Sequence, residues 1–286
     1  MNCDSTVCNK KIPSAMTIAG SDSGGGAGIQ ADLRTFSAMG VFGTSAITAI
    51  TAQNPQGVYH VESVSPQAIE AQLNAVFQAF DLSAIKTGML FSCETIEVIA
   101  DFLKKVKIPV VVDPVMVSTS GSKLLCDDAL GMLQTKIFPL AHWLTPNMPE
   151  AELLSGIPIK TEKDCWLALE KIAASCSCSV ILKGGHAESS EYADDYVMTS
   201  NGEKYILSAK RIPIKPYASH GTGCTLSSAM AARIALGDTT CDVLLTAKNF
   251  VLESLSQSRF AGTPENQIHV MFPPEQIRHS VTIRKV

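Results

Sequence analysis

The chain has 286 residues, of which 46% are hydrophobic and 17% charged, with a formal net charge of −4. No block of like charge is present, which excludes the clustered basic face of an electrostatic nucleic-acid binder. Nine cysteines without a C-x-x-C pair, only Cys176 and Cys178 standing close, exclude a disulfide framework or a zinc site and point to a reducing compartment.

The amino terminus has no signal-peptide core and nowhere are there eighteen consecutive apolar residues, so the chain is read as a soluble, cytoplasmic protein with no membrane partner. Residues 1–14 are expected to be a poorly ordered extension and 15–286 one domain large enough to bury about three quarters of its unfolded surface.

Residues 15–19 (AMTIA) form a short apolar run, followed by a glycine loop and a helix ending at Gly40. Residues 44–52 (TSAITAITA), rich in β-branched side chains, predict a buried strand. Ile69, Leu73, Val76, Phe77 and Phe80 recur by threes and fours after Ser65-Pro66, predicting an amphipathic helix. Strand, helix, strand then repeats as AIKTGML (84–90), a helix over Ile96 to Val106, and PVVVDP (109–114). HWLTPN (142–147), a helix through 161–175, VILKGG (180–185) and two strands in 194–208 follow. The chain closes with helices over 223–236 and 242–257 and a Pro-rich tail near FPPE (272–275). Short apolar strands alternating with helices predict an α/β fold, a largely parallel sheet covered on both faces. Ligands of such sheets bind outside the carboxyl ends of the strands.

Those ends carry Asp32, then Gln53 and Asn54, Gly88 and Met89, Asp113, Asn147 and Glu150, and Lys183, all converging on one rim. The loop AGSDSGGGAGIQAD (19–32) has five glycines. Gly26, Gly28 and Ala31 satisfy a relaxed dinucleotide fingerprint. The ribose carboxylate that should follow is missing, since no acid occurs between Asp32 and Glu62, and no G-K-[ST] makes it a Walker loop. The remaining reading is a loop that lets backbone approach a small ligand, with Asp32 in the first helical turn to hydrogen-bond it.

A second glycine site, HGTGCTLSSAMAA (220–232), puts Gly221, Thr222 and Gly223 before a helix. Their amides and the helix dipole form an anion hole suited to a phosphoryl group. Cys224, in the first turn, is either a thiol of lowered pKa or a small residue at a close-packed helix start. Asp113, Asn147 and Glu150 offer oxygen ligands suited to Mg²⁺ held largely through water, while Asn147 and Glu150 also suit a helix cap and first-turn charge. Lys183, ending an apolar strand, needs a partner, and a nucleotide phosphate would serve. His186 and His220 carry no assignment.

AGSDSGGGAGIQADLRTF, ITAQN, KTGML, VVDPVM, TPNMPEAELL, ILKGGH and HGTGCTLSSA, in this order, closely resemble the hydroxymethylpyrimidine/phosphomethylpyrimidine kinases of thiamine biosynthesis, a branch of the ribokinase-like superfamily. The resemblance implies a three-layer α/β/α sandwich, ATP and Mg²⁺ as cofactors, and two successive phosphorylations of an aminopyrimidine alcohol in one site. It implies that Gly20, Asp32, Gln53, Met89 and Val115 surround the pyrimidine, and that Asp113, Asn147 and Glu150 organise Mg²⁺ and phosphate. Lys183 and Thr222 would contact the triphosphate. The Gly221 to Cys224 amides would form the anion hole, with Cys224 as the base for the first transfer. A homodimer is implied as well. Gly24 stands where the family often has serine, and Ser118-Thr119 also depart from it. Related kinases act on pyridoxal or pyridoxine, so a vitamin B6 kinase is the alternative within the class. A nicotinamide oxidoreductase and a non-catalytic nucleotide-binding regulator are the alternatives outside it.

Overall fold

The computed structural model describes residues 11–116, 125, 128–184 and 191–286. His186, Ser118 and Thr119, and most of the expected amino-terminal extension, lie outside the described residues. Ser14, assigned to that extension, is already the first residue of a strand.

The elements run β1 (Ser14–Asp22), α1 (Gly28–Ala38), β2 (Phe42–Asn54), β3 (Gly57–Ser63), α2 (Pro66–Ala79), β4 (Leu82–Thr87), α3 (Cys93–Leu103) and β5 (Val110–Val112). Next come α4 (Ala129–Met132), β6 (Trp143–Leu144), α5 (Met148–Ser155), α6 (Glu162–Cys176), β7 (Ser179–Leu182), β8 (Tyr192–Met198) and β9 (Lys204–Lys210). Then follow α7 (Thr222–Ala235), α8 (Thr240–Ser256), β10 (Arg259–Phe260), β11 (His269–Val270) and β12 (Thr282–Lys285).

Ten strands form one sheet in the order β12-β9-β8-β7-β6-β5-β4-β1-β2-β3. From β2 through β1, β4, β5 and β6 to β7 every pairing is parallel; β3 at one edge and β8, β9 and β12 at the other are antiparallel. β1, β4, β5, β6 and β7 are buried on both sides, whereas β2, expected as a buried strand, alternates buried with part-exposed and exposed residues near the sheet edge; the alternation along the strands sorts side chains into two cores. Met16, Ile18, Ile85, Val110 and Val112 face α2, α3 and α6 in one. Ala15, Ala84 and Val111 face α1, α7 and α8 in the other. The result is the three-layer α/β/α arrangement.

Local chemistry fixes the helix starts. Ser65 accepts a hydrogen bond from the Ala68 amide ahead of Pro66, and Thr161 closes a capping box with Asp164. The parallel connections leave the carboxyl ends of six strands on one rim, where a cleft opens.

Candidate active site

The cleft has a volume of about 720 Å³ and receives residues from the ends of β1, β2, β4, β5, β6 and β7. Gly20, Gln53, Met89, Val115, Asn147, Glu150, Lys183, Gly221, Thr222, Gly223 and Cys224 all line it. Asp32 and Asp113 do not.

The glycine loop between β1 and α1 is closed on itself. Asp22 Oδ1 accepts the Gly24 amide at 2.8 Å and Asp22 Oδ2 accepts the Ala27 amide at 2.8 Å. The Gly25 amide donates to the Asp22 carbonyl at 2.9 Å. A cradle for a pyrophosphate needs those amides free, so the dinucleotide reading fails here on geometry as well as on the missing acid. Gly28 serves close approach: it has φ +57°, and a Cβ there would fall 2.5 Å from the Gly20 carbonyl oxygen. Burial raises the Asp22 carboxyl, but the hydrogen bonds from His220, Ala27 and Gln53 outweigh it and hold the group at about 2.

Asp32 corrects the sequence expectation of a carboxylate meeting a ligand. It occupies the second turn of α1, is fully buried, and faces the core with Ile29, Thr35 and Phe36. Its oxygens accept from Lys86 Nζ at 2.8 and 3.0 Å, Thr17 Oγ1 at 2.6 Å and Ser228 Oγ at 2.5 Å. Four hydrogen bonds from three donor groups saturate the carboxylate. Lys86 is the member of this pair that reaches the cleft lining, and sequence reading missed it. The lysine inside the apolar run AIKTGML was the available signal.

At one end of the cleft, Met89 and Val115 pack with Ala49 and Val58 as a small apolar cluster. Gly20 leaves room there for Met89: a Cβ would lie 2.4 Å from Met89 Cε and would push that flexible side chain aside. Val115 has φ +29°, a conformation a β-branched residue rarely takes. Gln53 lines the cleft as well, and its side chain helps to lower the Asp22 carboxyl.

The second glycine loop differs. Gly221 is the N-cap of α7 with φ +86°, and a Cβ on it would lie 1.9 Å from the Gly26 carbonyl oxygen. No capping side chain closes the helix start. Thr222 Oγ1 donates to the Ser219 carbonyl at 3.0 Å, and the first-turn amides that follow have no helical carbonyl to pair with. Cys224 is half-buried. Burial pushes its thiol up to about 11, against the opposing effect of the Lys86 ammonium. The lowered thiol expected from the helix terminus is therefore not found: desolvation and the nearby Asp32 and Asp113 charges outweigh the dipole.

Between the two ends lies an acid cluster. Lys183 Nζ donates to Asp113 Oδ1 at 3.0 Å and stands 4.0 Å from Glu150 Oε2. Asp113 also accepts from Thr145 Oγ1 at 3.3 Å and Ser227 Oγ at 3.4 Å. Asn147 and Glu150 form a reciprocal capping box on α5, the Glu150 amide donating to Asn147 Oδ1 at 2.9 Å and the Asn147 amide to Glu150 Oε2 at 2.8 Å. The Glu150 carboxyl is raised by burial and by the Asp113 charge, which Lys183 only partly offsets. Burial lowers Lys183, but Asp113 and Glu150 together raise it further. Two buried acids facing one lysine leave a surplus of negative charge. Among the described residues no group of three or more His, Cys, Asp or Glu that could hold a metal ion is found.

Two features escaped the sequence reading altogether. Asp22 Oδ2 meets His220 Nε2 at 2.9 Å, joining the two glycine loops. At the far end, Lys248 Nζ pairs with Asp195 Oδ2 at 2.7 Å while Asp195 Oδ1 accepts the Gly184 amide at 2.9 Å, beside the apolar Ile212, Val251 and Leu255.

Comparison with known proteins follows the same lines. Residues 22–269 match the family described as phosphomethylpyrimidine kinase. The hydroxymethylpyrimidine/phosphomethylpyrimidine kinase of Haemophilus influenzae is 44% identical over 248 residues, 86% of this chain and 91% of that protein. Among solved structures, a phosphomethylpyrimidine kinase from Clostridium difficile is 42% identical with a TM-score of 0.74, over 85% of this chain and 99% of that one. The pyridoxal kinase of Staphylococcus aureus in complex with AMP-PCP and pyridoxal is 28% identical with a TM-score of 0.85, over 97% of this chain and 100% of that one. The fold is thus ribokinase-like, the class is phosphotransferase, and the chain belongs to the phosphomethylpyrimidine kinase family.

Proposed function

We propose that this chain transfers the γ-phosphoryl group of ATP to the hydroxymethyl oxygen of 4-amino-5-hydroxymethyl-2-methylpyrimidine, and then a second phosphoryl group to the resulting monophosphate. The observation that carries the reading is one cleft holding a small apolar and amide pocket, Met89, Val115 and Gln53, beside a helix start whose amides are uncapped.

In the first transfer the hydroxymethyl oxygen bonds to the γ-phosphorus, the bond from that phosphorus to the ADP oxygen breaks, and the hydroxyl proton passes to Cys224 Sγ in its thiolate form, the minor form at neutral pH because burial pushes the thiol up to about 11. The α7 amides stabilise the transferring oxygens. In the second transfer the acceptor is already a phosphate oxyanion and needs no base. Lys183 would move its charge from Asp113 toward the triphosphate. Asp113 and Glu150 would hold Mg²⁺ through water, with Asn147 fixing the Glu150 carboxylate. The ion supplies neutralisation of phosphate charge. Asp32 acts from below: it fixes Lys86, whose ammonium favours the thiolate of Cys224. The resemblance also supports a cytoplasmic homodimer, and light scattering on this 30.5 kDa chain tests the dimer.

Pyridoxal is the acceptor to set against the pyrimidine, because structures of kinases named for it share the fold closely. The test is ADP release with Mg-ATP on the hydroxymethylpyrimidine, its monophosphate and pyridoxal in parallel, with product masses. Turnover of both pyrimidines supports the proposal. Turnover of pyridoxal alone overturns it and leaves a vitamin B6 kinase.

A further inference from the structure

Asp22 and His220 are 198 positions apart, yet their side chains meet at 2.9 Å and are 1% and 16% exposed. The same Asp22 carboxylate holds the Gly24 and Ala27 amides at 2.8 Å each, so it fastens one glycine loop and reaches across to the other. The His220 ring lies on Gly26, where a Cβ would come within 2.5 Å of its Cδ2. The next residue, Gly221, crosses the Gly26 carbonyl at a distance only glycine permits. The two loops therefore touch at a side-chain pair and at a backbone crossing one residue apart.

Neither residue belongs to the apolar cores. Each loop also has its own backbone fastenings: the Gly25 amide to the Asp22 carbonyl at 2.9 Å, the His220 amide to the Tyr217 carbonyl at 3.1 Å, and the Thr225 amide to the Gly221 carbonyl at 2.9 Å. The contact between Asp22 and His220 is thus not what closes either loop. What it fixes is the position of one loop against the other.

Resting on the kinase reading above, we propose that Asp22 and His220 are a positioning pair that sets the α7 amides in register with the bound acceptor. Donors that stabilise a transferring group act on charge that develops in the transition state, so a small displacement costs rate more than it costs binding. Because both transfers use the same amides, losing the pair slows both alike. This separates His220 from Cys224, whose proposed work as a base belongs to the first transfer alone.

The test compares H220A, H220Q and D22N with the unaltered protein in single-turnover assays of both transfers, with ADP affinity by calorimetry and melting temperature alongside. Glutamine places an amide N–H close to the site of the imidazole Nε2–H and keeps the bond to Asp22. H220A is expected to slow both transfers by about 10- to 100-fold with ADP affinity and acceptor KM within about twofold, and H220Q to recover to within about threefold of the unaltered rate. D22N, which loses one acceptor oxygen, is expected to fall with H220A. The inference is overturned by unchanged rates in H220A, by a loss confined to one transfer, by a loss that appears as weakened ADP binding, or by H220Q no better than H220A. The kinase reading fails separately, through an unaltered protein that turns over neither pyrimidine. If it turns over pyridoxal, the same variant ratios are read on that acceptor and decide the inference there.

Discussion

The two glycine loops of this protein are close relatives in sequence and opposites in chemistry. Both are short, rich in glycine and followed by a helix, and each contains residues with positive φ. In the first, the Asp22 carboxylate takes the Gly24 and Ala27 amides and leaves no vacancy for a phosphate. In the second, Gly221 caps α7 without a side chain; the Thr222 amide donates to the Ser219 carbonyl at 3.2 Å, and the Gly223 and Cys224 amides stay open. Glycines ahead of a helix therefore do not define an anion site. The presence or absence of an internal carboxylate does.

Glycine substitutions sharpen that difference most. Gly25 and Gly221 have φ +75° and +86°, but a Cβ on Gly25 meets nothing within 4 Å whereas one on Gly221 lies 1.9 Å from the Gly26 carbonyl oxygen. Gly221→Ala is expected to force the loops apart and to lower both transfer rates by about 100-fold or more. Gly25→Ala is expected to cost only the left-handed conformation, about 1–2 kcal/mol of stability, with rates within about threefold. Parallel single-turnover and thermal-melting measurements check both.

Cys224→Ala comes next. It is expected to slow the first transfer by about 100-fold and the second by no more than about threefold. In the unaltered protein the thiol lies at about 11, so the thiolate fraction grows as pH rises toward that value. The first transfer should therefore accelerate between neutral and alkaline pH while the second does not. Equal losses in the two transfers, or parallel pH profiles, contradict the base assignment.

Asp22 makes the closed loop visible in stability. Its carboxyl sits at about 2 rather than 3.8, so its contribution, roughly 2 kcal/mol, is fully present above pH ~4 and is lost as pH falls toward 2. Asp22→Asn should flatten that part of an acid-denaturation curve, measured by denaturant melts across the window. The smallest effect is expected for Asn147→Ala, which removes the side-chain cap on the Glu150 amide at about 1 kcal/mol while the backbone amide of residue 147 still holds the Glu150 carboxylate.

The comparison also shows what a sequence can and cannot express. Apolar runs and helix signals such as Ser65-Pro66 place the main strands and helices, because burial and capping are local properties. β3 and β12 were not read, since both are short antiparallel edge strands with largely exposed side chains, lacking an apolar run. Residues converging on the rim were legible because strand ends of a parallel sheet must share one side. Their partners were not. Asp32 looks like a site residue next to glycines, but its spacing from Ile29, Thr35 and Phe36 turns it inward to Lys86. Cys224 was misjudged because a helix terminus is visible in sequence and desolvation is not. Asp22 and His220 were invisible as a pair because only the tertiary fold brings them together.

The measurement that tests the account most directly is scalar coupling across hydrogen bonds, from amide nitrogen to phosphorus, in the protein bound to Mg²⁺ and a non-hydrolysable ATP analogue. Coupling from the Gly223 or Cys224 amide, with none from Gly24 or Ala27, is the result expected of an open loop beside a closed one. Coupling from Gly24 or Ala27 would contradict it, and would mean that nucleotide displaces Asp22 from its own loop.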